Sequence, residues 1–106
     1  MGKNSVLKTL GKRIGNVVLH RLLVNHTNIP ESKSHLQNEE NEYRNEAIKD
    51  SREYNWNEED KRLIKNMAIE FIKNKKEKRY NDVDFSLDEA KKLIDEEMIN
   101  LDINTN

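Results

Sequence analysis

Three glycines and a single proline in 106 residues leave this chain few places to turn. Those two residues punctuate loops, hairpins and bulges. A chain that nearly lacks them and gives 37% of its positions to Asp, Glu, Lys and Arg has the composition of helices. The length is that of one domain, which hides only about two thirds of the surface exposed by the unfolded chain. The expected fold is therefore all-α, a small bundle of about four helices spanning roughly 5–24, 29–54, 58–79 and 87–101, with residues 1–106 as a single helical domain.

The core available to such a bundle is thin. Leu, Ile, Val and Phe make up about a quarter of the chain, just above the range typical of disorder. The net charge of −1 removes the self-repulsion that keeps weakly hydrophobic chains open, so a folded protein is expected. Absence of cysteine excludes disulfides and thiolate metal sites and agrees with a reducing compartment. The longest apolar run, Val17 to Val24, is interrupted by His20 and Arg21 and is too short to cross a bilayer. The expected location is intracellular, in the cytoplasm or nucleus.

Charge divides the chain unevenly. Residues 1–30 hold Lys3, Lys8, Lys12, Arg13 and Arg21 and no acid. Leu7, Leu10, Ile14, Val17 and Val18 recur there at helical spacing, with the cations largely off the stripe, which defines a basic amphipathic helix over 5–24. That helix is expected either to pack on the helical core 29–101 or to precede it. Gly11 and Gly15 each cost about 1 kcal/mol relative to Ala inside a helix, a cost that a close backbone approach would offset. Three roles suit the segment: a core helix with a basic outer side; a nucleic-acid contact in which Lys8, Lys12, Arg13 and Arg21 meet phosphates; or a mitochondrial presequence over residues 1–26. The first is preferred, and the third would move the protein to the mitochondrion.

The remaining helices carry their own start signals. Asn28 and Glu31 form a candidate capping box around Pro30. The helix that follows, to about Tyr54, has only a weak stripe of Leu36, Tyr43, Ala47, Ile48 and Tyr54, interrupted by Glu40 and Asp50. Asn57 is placed to cap the third helix, whose stripe reads Leu63, Ile64, Met67, Ala68, Phe71 and Ile72, with Phe71 as its expected anchor. Ser86 and Glu89 form a second candidate capping box, with Phe85 placed to staple onto Ala90. Leu87, Ala90, Leu93, Ile94, Met98 and Leu101 then line the fourth helix, and residues 102–106 are expected to fray.

Little in the sequence points to catalysis. Gly11 and Gly15 lie inside a helical pattern and make no phosphate loop. Asp82, Asp84 and Asp88 begin like a calcium loop, but Leu87 stands where Gly is needed and Leu93 where the closing Glu belongs. His35, Glu39, Glu42 and Glu46 share a helix face without the paired Glu-x-x-His motifs of di-iron bundles. Lys73, Lys75, Lys76, Lys78 and Arg79 suit the negative end of a helix macrodipole. No catalytic residue, cofactor or metal ligand is expected. The expected role is a non-enzymatic interaction or complex-assembly subunit that meets another protein through helix faces, with Tyr43, Tyr54 and Trp56 as anchors. The alternatives are a nucleic-acid-binding accessory protein and an imported mitochondrial assembly factor.

Overall fold

The computed structural model describes residues 2–27, 30–101 and 103. Four helices account for most of them: α1 (Lys3–His26), α2 (Pro30–Ser51), α3 (Glu58–Lys78) and α4 (Leu87–Asn100). They form an all-α bundle measuring 39 × 27 × 23 Å.

Contacts between named side chains set the direction of each helix. Lys3 pairs with Asp60 at 2.8 Å, and Gly15 lies against Ala68 and Phe71, so α1 and α3 run parallel. Arg13 reaches Asp50 at 2.5 Å and His20 reaches Glu39 at 3.1 Å, so α2 runs back along α1. Arg21 faces Glu96 and His26 faces Glu89, which makes α4 antiparallel to α1 as well.

The helix boundaries have local causes. The expected Asn28 cap of α2 lies outside the described residues. α2 stops at Ser51, three residues short of the expected end. There Trp56 Nε1 donates to the Ser51 carbonyl at 2.9 Å, satisfying an orphan acceptor and turning the chain toward α3. Asn57 caps α3 in a complete box, its side chain accepting from Asp60 N–H while Asp60 accepts from Asn57 N–H. The Lys3 ammonium, and then the Asn57 N–H, hold the Asp60 carboxyl below the usual aspartate range. Ser86 Oγ accepts from Glu89 N–H at 3.1 Å. The reciprocal half of that box is absent, because the Glu89 carboxylate turns to His26 instead. Beyond α4, Ile103 N–H donates to the Met98 carbonyl at 2.9 Å and its side chain is buried, so Ile103 is packed where fraying was expected.

α1 is the hub. Its buried positions Leu7, Leu10, His20 and Leu19 lie roughly a quarter-turn apart at about 100° per residue, so it is covered nearly all round and not on one stripe. Leu10, Ile14, Val17, Val18 and Leu22 are wholly buried. By contrast α2 places only Ala47 fully inside, with Leu36 and Ile48 half-buried at the edge. α3 is rotated slightly from its expected orientation. Lys61, Ile64, Ala68 and Ile72 form the buried line, Phe71 is half-buried and Leu63 is 42% exposed. The anchor of α3 is thus Ile72 and not Phe71.

Gly11 and Gly15 make the α1–α3 seam. A Cβ at Gly11 would lie 2.5 Å from Met67 Cβ and 3.1 Å from the Ile64 carbonyl oxygen. One at Gly15 would lie 3.0 Å from the Ala68 carbonyl oxygen and 2.9 Å from the Phe71 ring. The helices meet where neither glycine has a side chain, which offsets the glycines' low helix propensity. Gly11→Ala should therefore destabilise the fold by about 1–3 kcal/mol through overpacking, although the same change on an exposed helix face stabilises by about 0.4–1 kcal/mol. Chemical denaturation reads the sign directly, and a raised midpoint would show a looser seam.

Candidate functional site

The structure separates the residues that the sequence suggested as a site. Trp56 is buried, its indole N–H satisfied by Ser51, and Tyr54 stacks edge-on against it at 5.8 Å. Tyr43 is half-buried on α2, with its ring 5.2 Å from His20. Eight residues of helix, about 12 Å along the axis, separate it from Ser51. The three aromatics therefore form no single patch, and Trp56 belongs to the core of the chain.

The four candidate phosphate ligands divide likewise. Arg13 is held by Asp50 of α2 and faces Glu46 at 3.6 Å, and Arg21 faces Glu96 of α4 at 3.9 Å. Lys8 and Lys12 are exposed one turn apart, and neither forms an ion pair with a described residue. In the second basic segment, Lys76 lies over the Phe85 ring at 4.4 Å and donates to the Val83 carbonyl at 2.7 Å. Lys75 lies over Phe71 and Arg79 over Tyr80. These cations pack along aromatic faces at the end of α3, as the macrodipole favours.

The histidines are spoken for in similar ways. His20 is buried between α1 and α2, its Nδ1 2.8 Å from the Asn16 carbonyl oxygen. Glu39 stands between His20 at 3.1 Å and His35 at 2.5 Å. Among the described residues no group of three or more His, Cys, Asp or Glu is placed to hold a metal ion. The described helices include none long and apolar enough to cross a membrane.

One buried ion pair was not anticipated. Glu97 is fully buried on α4 and receives Arg44 Nε at 2.7 Å and a second guanidinium nitrogen at 3.0 Å, while Arg44 also reaches Glu40 at 2.7 Å. The Glu97 hydrogen bond foremost, helped by Glu40, outweighs burial and raises the Arg44 pKa further above its ordinary value. This fork joins α2 to α4. The signal was a carboxylate in the apolar register of α4, next to Met98 and one turn after Leu93 and Ile94.

What remains open is a side of α1. α2 and α3 flank it and, among the described residues, their backbones do not approach each other. Ser5, Lys8 and Lys12 are exposed along this strip, with Asn16 half-exposed. Beside it runs a shallow groove of about 360 Å³, lined by Asn4, Leu7, Lys8, Leu63, Asn66, Met67 and Glu70. Its base is apolar and it carries Leu63, one of two large hydrophobic side chains exposed among the described residues. Comparison with family models, with curated proteins and with solved structures found no match for the chain.

Proposed function

We propose that the protein is an interaction or complex-assembly subunit whose α1–α3 groove receives an acidic amphipathic helix from another protein. The observation that carries this reading is an apolar base, Leu7, Leu63 and Met67, edged on the α1 side by Lys8, with the exposed Lys12 one turn further along α1 and Glu70 on the α3 side. An incoming helix buries apolar residues at i, i+3 and i+4 against the groove and sets acids over the lysines. Charge complementarity steers the encounter and fixes orientation, while the apolar contact supplies most of the affinity. A nucleic-acid role has less support, because Arg13 and Arg21 are engaged by acids of α2 and α4.

The test uses two synthetic helical peptides with the same apolar face, one carrying Glu and one Lys on its flank. The acidic peptide is expected to bind and to shift the backbone amide signals around Leu7, Leu63 and Met67. Leu63→Asp should abolish binding and cost about 1 kcal/mol of stability, since the side chain is 42% exposed. Lys8→Glu with Lys12→Glu should reverse the preference toward the basic peptide. Failure of both peptides, with duplex DNA bound in a steeply salt-dependent way, would replace this reading by the nucleic-acid one.

A further inference from the structure

Lys61 sits on the buried line of α3, in register with Ile64, Ala68 and Ile72. Its side chain is only 10% exposed, and its ammonium makes no hydrogen bond to any described residue. The nearest carboxylate oxygen, on Glu58, is 3.6 Å away, beyond hydrogen-bond reach, and that side chain is 79% exposed. An ammonium placed so carries a desolvation cost that one distant, solvated acid does not offset.

The same lysine lines a cavity of about 420 Å³ where the α2–α3 connection crosses the end of the bundle. Ser51, Arg52, Tyr54, Asn55, Trp56 and Ile103 complete the lining, so among the described residues it holds two cations and no acid. Arg52 is exposed and Lys61 buried, which places one cation toward the mouth and the other toward the base. Arg52 forms no ion pair with any described acid. The Asn55 amide adds a hydrogen-bond donor, while the Ser51 hydroxyl already donates to the Ile48 carbonyl, and Trp56 and Ile103 add apolar wall. The volume lies in the range of small-molecule sites, and the polarity is one-sided.

The geometry points to a binding site for a small oxyanion, a carboxylate or a phosphate, held between Lys61 and Arg52 beside Trp56. The guanidinium offers a planar fork, and the lysine's four-carbon stem lets its ammonium reach the anion. Bound there, the anion supplies the hydrogen-bond acceptor that Lys61 lacks among the described residues, beside its long ion pair with Glu58. This site shares no lining residue with the α1–α3 groove and stands independently of it.

Trp56 is the only tryptophan in the chain, so its fluorescence reports on this cavity alone. The intact protein is titrated with inorganic phosphate and, separately, with benzoate, with ionic strength held constant by chloride. A saturable change in Trp56 emission with either probe is expected, and which probe produces it assigns the site to phosphates or to carboxylates. Lys61→Met, close in shape and without charge, should weaken that binding about tenfold or more. The same variant should melt at a higher temperature than the parent without ligand, which shows that it folds. Lys61→Arg should retain binding. No saturable change with either probe, or an unchanged titration in a folded Lys61→Met protein, would overturn the assignment.

Discussion

Deleting residues 1–26 abolishes cooperative folding. α1 contributes nine of the 21 buried apolar side chains among the described residues, including five that are wholly enclosed. Each buried Val, Leu or Ile contributes about 1.5–3 kcal/mol, so the loss exceeds the roughly 5–15 kcal/mol that holds a domain together. The helices left behind cannot close the gap, since among the described residues the backbones of α2 and α3 do not approach each other, and α2 meets α4 through the Arg44–Glu97 fork while supplying little core of its own. A denaturation curve of the truncated chain should be broad and without a clear midpoint, or the chain should aggregate. A sharp transition with an unchanged midpoint, together with a native mass lacking the first 20 to 30 residues, would instead mark the segment as a removable presequence.

The Arg44–Glu97 fork should respond asymmetrically. Arg44→Ala leaves a fully buried carboxylate without its partner and is expected to cost about 3–5 kcal/mol. Glu97→Ala should cost less, about 1–3 kcal/mol, because Arg44 keeps Glu40 and has 26% of its side chain in solvent. Replacing both, Arg44→Met with Glu97→Leu, removes the charges together and should recover most of the loss. Denaturant midpoints of the three variants decide the matter. Equal costs for the two single changes would mean that water reaches Glu97.

The two halves of the molecule were unequally legible. α3 and α4 announce themselves locally, since Asn57 and Ser86 cap where their side chains fall just ahead of an apolar stripe. The four-residue spacing of Ile64, Ala68 and Ile72 is a property of one helix alone. The place of α1 is not local. Its cations read as an outer face, yet Lys3, Arg13 and Arg21 each lean onto an acid of a different helix, and Lys8 and Lys12 pair with none of the described acids. The glycine pair gave the best hint, because two helix-weakening residues four apart imply a close neighbour. Leu63 and Lys61 show the converse limit. Either could have faced inward on the periodicity of α3, and a modest rotation, set by Met67 and Phe71 against the glycines, exposes one and buries the other. Arg44 and Glu97 lie 53 residues apart, and nothing short of the fold pairs them.

Native-state hydrogen exchange tests the hub position of α1 most directly. Amides from Leu10 to Leu22 should be the slowest in the protein and open only with global unfolding, while α2, with its single fully buried residue, should exchange through smaller openings. Protection at 10–22 that falls below that of α3 and α4, with α1 exchanging while the other helices stay closed, would contradict the account.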